Sequence, residues 1–141
     1  MILLDTNVVS EPIRRQPDRR VQDWLDAQAA ETLYLSTISM SELLLGIESL
    51  PVGRRRRTLA AAVGEQIVSL FDDRIIPFDV AAAEAYAKVV ILARGSGYAI
   101  SIADGQIAAI AASRSFRVAS RDEAPFQAAG LVVINPWTAQ L

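Results

Sequence analysis

Asp5 closes the apolar run Ile2-Leu3-Leu4 at the head of the sequence, and three further acids, Glu42, Asp104 and Asp122, follow other candidate strands or open candidate helices. The sequence has no histidine and no cysteine, so carboxylates must carry most of any acid, base or metal chemistry. Carboxylates gathered in one place repel unless a cation neutralises them, and a hard ion such as Mg²⁺ or Mn²⁺ accepts an all-oxygen shell. Such an ion activates water for in-line attack on a phosphodiester and stabilises the leaving oxygen. A second ion would sit about 3.5–4 Å away.

The elements that must position these acids can be read from apolar patterning. Short apolar strands are expected at Ile2–Leu4, Leu33–Ser36, Arg74–Pro77, Arg117–Ser120 and Leu131–Ile134. Helical spacing separates most of them. Asp18 caps a helix with Val21, Trp24 and Leu25 on its apolar stripe. Ser39 opens a second helix through Leu43, Leu44 and Ile47, and Pro51 suits the first turn of a third that runs through Leu59, Val63, Ile67 and Leu70. Asp79 caps an alanine-rich fourth that ends near Gly95 and Gly97, and a fifth spans about Ile102 to Ser113. Strands alternating with helices predict a parallel sheet covered on both faces, a three-layer α/β/α domain. Its ligands bind beyond the C-terminal ends of the strands, where all four acids fall.

Each acid also has a plainer role. Ser39-x-x-Glu42 matches a capping box, and Ser101-x-x-Asp104 resembles one with a shorter acid. Asp104 has a further feature: Ile107, Ala108 and Ala111 follow it at i+3, i+4 and i+7, so it shares the apolar face and needs a partner there. Asp122, in Ser120-Arg121-Asp122-Glu123, also suits a polar loop. Thr6 and Asn7 stand close enough to orient Asp5 or to shape the turn after it. Asp18, Asp23, Glu48 and Asp79 are read as capping or solvated residues.

Apolar residues make up 52% of the 141 residues and the formal net charge is −2. One domain spanning residues 1–141 is long enough for a sizeable core, and no global basic field draws in nucleic acid. The arginines are nonetheless clustered, as Arg14, Arg15, Arg19 and Arg20, then Arg54 to Arg57. The second run would solvate the start of a helix, where the macrodipole disfavours positive charge, or contact phosphates. Absent cysteine excludes disulfides, and no apolar run is long enough for a signal peptide or a membrane span, so a soluble, cytoplasmic protein is expected.

In order and spacing, Leu-Leu-Asp5-Thr6-Asn7, Ser-Glu42-Leu, Ala-Asp104-Gly-Gln-Ile-Ala-Ala-Ile-Ala and Ser-Arg-Asp122 resemble PIN domains. The set is similar to the VapC-type toxins of bacterial toxin–antitoxin modules, especially the FitB-like branch, which the early Ser10-Glu11-Pro12 and the later Asn135-Pro136-Trp137 also resemble. The resemblance covers nearly the whole chain. It implies a five-stranded parallel sheet between helices and an Mg²⁺- or Mn²⁺-dependent endoribonuclease with Asp5, Glu42, Asp104 and Asp122 as the acidic metal site. It also implies a homodimer inhibited by a small antitoxin, whose C-terminal segment enters the site, and DNA contact through that antitoxin alone. One departure is visible. Many relatives carry an acid just before a later phenylalanine, whereas Pro125 precedes Phe126 here; Asp122 is taken as the replacement.

A HAD-type phosphatase also begins with an aspartate after an apolar strand, but it wants a second aspartate where Asn7 stands, and Lys88 is the only lysine. The remaining alternative is a catalytically latent PIN-fold subunit of a DNA-binding toxin–antitoxin complex. Four retained acids argue against it, since an unused acidic cluster costs stability.

Overall fold

In the computed structural model, which describes residues 1–141, strand β1 (Ile2–Leu4) lies at the centre of a five-stranded, wholly parallel sheet. The strands run β3-β2-β1-β4-β5, with β2 at Leu33–Ser36, β3 at Ile75–Ile76, β4 at Arg117–Ala119 and β5 at Val133–Ile134. β1 pairs with both neighbours in register, Leu4 opposite Leu35 on one side and Ala119 on the other. Burial on both faces explains why this strand is a continuous apolar run. Its alternation divides the core: Ile2 and Leu4 join one buried cluster with Val8, Val21, Trp24, Leu35 and Val63, while Leu3 joins another with Ile76, Val90, Ile107, Ile110, Val118 and Phe126.

The helices follow from caps and apolar spacing. α1 (Thr6–Ser10) starts directly from β1 with Asp5 as its cap and runs into a 3₁₀ turn at Glu11–Ile13. α2 (Arg19–Asp26) is capped by Asp18, as expected, and buries Val21 and Trp24. α3 (Thr37–Glu48) follows β2. α4 (Arg54–Ala61) continues through a π-helical stretch, Ala62–Val68, into α5 (Ser69–Phe71). α6 (Val80–Gly95) has the expected Asp79 cap, α7 (Ile102–Ser113) is capped by Ser101, and α8 (Glu123–Ala128) precedes β5. No helix is long and apolar enough to cross a membrane.

Three boundaries differ from the sequence reading. α3 begins at Thr37, because the Ser36 hydroxyl accepts the Ser39 amide (3.0 Å) and takes the capping role expected of Ser39. Glu42 therefore lies in the second turn, outside a capping box. Pro51 stands in the loop before α4, where Gly53 is the cap. β3 and β5 keep only two residues each, the outer strands having a single neighbour to pair with.

α7 passes against α6 so closely that Gly105 has no room for a side chain: a Cβ there would stand 2.9 Å from the Tyr86 ring and 3.3 Å from a Val90 methyl. This crossing fixes the helix that carries Asp104. Gly105→Ala is therefore expected to destabilise the protein by about 1–2 kcal/mol, overpacking outweighing the ~1 kcal/mol gained in helix propensity. A lowered denaturant midpoint at unchanged slope would bear this out; an unchanged or raised midpoint would refute it.

Candidate active site

The strand order reverses between β1 and β4, so the connections leaving their C-terminal ends diverge and open a crevice between them. Asp5 sits there, only 6% exposed. Its amide donates to the Ala119 carbonyl (2.9 Å), extending the sheet by one bond. Its carboxylate is held at both oxygens. Oδ1 accepts the Thr6 amide at 2.8 Å, and Oδ2 accepts the Ser120 hydroxyl at 2.7 Å.

Ser120 was not singled out from the sequence as a site residue, yet it is the hub of this crevice. Fully buried, its oxygen also accepts the Asp122 amide (3.0 Å) and the Asn7 side-chain amide (3.3 Å). Asn7 Oδ1 in turn accepts the Arg121 amide (3.3 Å), so Asn7 ties α1 to the loop after β4. Only the run Ser120-Arg121-Asp122 marked the segment in sequence; a lone serine carries no pattern.

Thr6 was expected to orient Asp5. It does so through its amide alone, because its hydroxyl turns to Glu42 and donates to Oε1 at 2.8 Å. Glu42 is exposed on α3. Asp104, the third residue of α7, is partly buried, with its amide donating to the Ser101 hydroxyl (3.1 Å). That supplies the Ser101 half of the expected cap. Asp122 is exposed at the N-terminus of α8 and makes no side-chain cap bond.

Electrostatics ties the four acids together. Burial raises the Asp5 carboxyl from 3.8 to about 6; the bonds from Ser120 and Thr6 pull against this, and the negative charges of Asp104 and Glu42 add to it. Burial likewise raises Asp104, with Ser101 opposing and Asp122 and Glu42 reinforcing. Each acid thus lies within electrostatic range of at least one other. No three are gathered as a ready-made ligand group. Asp5 is buried and Asp104 partly buried, whereas Glu42 and Asp122 face solvent, Glu42 with one oxygen held by the Thr6 hydroxyl. An all-oxygen donor set carrying uncompensated negative charge fits a hard divalent cation. One more polar atom is unaccounted for: the buried Ser39 hydroxyl, one turn before Glu42 on α3, has no partner.

Residues 2–131 match the family described as PIN domain. The chain is 52% identical to plasmid stability protein StbB of Pseudomonas syringae pv. tomato, with 99% of this chain and 100% of that protein covered. It is 47% identical to VapC ribonuclease Y4jK of Sinorhizobium fredii (97% and 98% covered) and 47% identical to toxin FitB of Neisseria gonorrhoeae (97% and 99% covered). Among solved structures, that of FitAB bound to an IR36 DNA fragment contains a chain that superposes with a TM-score of 0.95 at 45% identity, covering 100% of this chain and 99% of that one. The expected fold and family resemblance both hold.

The raised Asp5 carboxyl sets a pH dependence for the cation-free protein. Below pH 3.8 the group is protonated whether the chain is folded or not. Between 3.8 and about 6 the folded chain holds the proton more tightly, so stability falls as pH rises. Above that window the full cost remains, on the order of 3 kcal/mol. Asp5→Asn should thus stabilise the cation-free protein at about pH 7.5 and have little effect at about pH 4, measured by denaturant unfolding at both. Equal effects at the two pH values would contradict the assignment.

Proposed function

This chain belongs to the PIN domain family, and we propose that it is a metal-dependent endoribonuclease acting as the toxin of a toxin–antitoxin module. The observation that carries the reading is the set of four carboxylates around the sheet's switch point, each within electrostatic range of at least one other, Asp5 buried, Asp104 partly buried and two facing solvent. The relatives called a VapC ribonuclease and a toxin support the activity and the biological role.

Asp5, Glu42, Asp104 and Asp122 would hold Mg²⁺ or Mn²⁺. When bound, the ion supplies Lewis-acid activation of water and neutralises charge building at the leaving oxygen. The chain's own residues do the positioning. Ser120 and the Thr6 amide fix both oxygens of Asp5, and the Thr6 hydroxyl aims Glu42. The helix carrying Asp104 is fixed by the α6–α7 crossing, while Asp122, at the start of α8, would complete the site or position the attacking water. A phosphodiester laid across this edge meets carboxylates from β1, α3, α7 and the loop after β4.

The proposed partners are an RNA substrate, a small antitoxin whose C-terminal segment brings a cation to the carboxylates, and a second copy of the chain. The FitAB relative, solved on a DNA fragment, supports DNA contact through the antitoxin. Exposed Leu44 and Leu45 on α3, Ile91 and Leu92 on α6 and Ile102 on α7 supply apolar surface for a dimer. The latent-subunit reading draws support from one observation, that no three acids are already gathered.

The two readings part in a cleavage assay. Purified protein is expected to cut a mixed RNA pool with Mg²⁺ or Mn²⁺, to stop with EDTA, and to lose at least about a hundredfold in rate as Asp104→Asn, while sedimenting as a dimer. A folded protein that cuts nothing in either metal would favour the latent reading. Cleavage at full rate by Asp104→Asn would misplace the site.

A further inference from the structure

The two arginine clusters, some forty residues apart in sequence, meet in the fold. Arg14, Arg15 and Gln16, just past the 3₁₀ turn that continues α1, line one hollow of about 410 Å³ together with Arg55 from the first turn of α4. No acid and no apolar residue lines it. Three arginines near it in sequence are neutralised: Arg20 pairs with Asp18, Arg19 with Asp23 and Arg56 with Glu48. Arg14 pairs with the buried Glu11 (3.1 Å), which also accepts the Asp18 amide (2.9 Å) and so stiffens the loop. Arg15 and Arg55 have no ion pair.

This is an unfavourable arrangement for the free protein. Three arginines line one hollow, and Arg54 to Arg57 crowd the positive end of α4, whose cap Gly53 supplies no side-chain acceptor. An anion relieves both strains at once. The planar forks of arginine suit phosphate oxygens, taken two at a time. An all-polar lining lacks the apolar centre expected of a protein-docking surface. The hollow is also tied to the acid site, because one helical run leads from Asp5 through α1 and the 3₁₀ turn to Arg14. That run spans about 14 Å at helical rise, a distance a few nucleotides cover.

We propose that Arg15 and Arg55, with Arg14 and Gln16, form a phosphate-tracking subsite that holds the backbone of a single-stranded RNA whose scissile bond lies at the carboxylates. The inference rests on the ribonuclease reading. It names where the substrate strand leaves the site. The contacts are to phosphate, so they set affinity and register without selecting sequence.

The test uses the full chain carrying Asp5→Asn, to separate binding from cutting, with a short labelled single-stranded RNA titrated at several salt concentrations. Adding Arg15→Ala and Arg55→Ala should weaken binding about tenfold or more and flatten the dependence of log affinity on log salt by about 1.4, two phosphate contacts on a single strand. In the otherwise native chain the same pair should raise KM and leave kcat in place. Arg94→Ala with Arg114→Ala, two exposed arginines away from the hollow, is the control for net charge and should do neither. Unchanged affinity and slope in the Arg15/Arg55 protein, or an equal loss in the control, would overturn the subsite. If the native chain still cuts RNA in that case, the ribonuclease reading stands and the subsite alone fails. Loss of polyglutamate binding with RNA binding intact would also overturn it, pointing to an acidic protein segment.

Discussion

A carboxylate with almost no access to water, at the end of the central strand, is the constraint around which this fold is organised. The sheet places Asp5 there: β1 is paired on both sides, and its last bond runs through the Asp5 amide to Ala119. Ionising so buried a group is costly unless its oxygens are supplied with donors. The chain supplies them from both sides of the switch point, the Thr6 amide from the start of α1 and the Ser120 hydroxyl from the end of β4. Ser120 can do this only because β4 lies beside β1, and Asn7 keeps the two connections in step. Packing, topology and site chemistry thus meet in one residue.

Those donors are insufficient by themselves. Burial still holds the Asp5 carboxyl near 6, and Asp104 is shifted in the same direction. One acid is buried, one is partly buried and two lie on the solvent side, so the cluster runs from the core to the surface. Such a site is strained when empty of positive charge and relaxed by it. The same logic would make a cationic side chain from the proposed inhibitory partner a competitor for the proposed divalent cation. The arginine hollow is the mirror image, a positive cluster awaiting negative charge, and the helical run from Asp5 to Arg14 joins the two. The proposed phosphodiester strand and divalent cation would answer both.

Much of this was legible in the sequence, for identifiable reasons. Ile2-Leu3-Leu4 followed by Asp5 marks a buried strand and the edge where it ends. Asp18 and Asp79 announce their helices through capping chemistry. α1 and α8 leave no signal in the sequence, because five or six residues carry no helical period. The start of α3 is ambiguous in sequence because Ser36 and Ser39 can both cap a helix, and only the strand's end decides between them. The division of labour in Thr6, amide to Asp5 and hydroxyl to Glu42, depends on α3 lying against α1. The hub role of Ser120 needs two strands to be neighbours. The meeting of Arg15 with Arg55 is likewise a tertiary fact that no local pattern encodes.

In the proposed reading the four carboxylates form one electrostatic unit completed by a divalent cation. The most direct measurement is the melting temperature of the native chain with and without Mn²⁺ or Mg²⁺ at neutral pH, alongside Asp5→Asn. A cation that binds only the folded chain must raise the transition. The expected rise grows with cation concentration in the native chain and is largely absent in the variant. No shift in the native chain, or an equal shift in the variant, would contradict it.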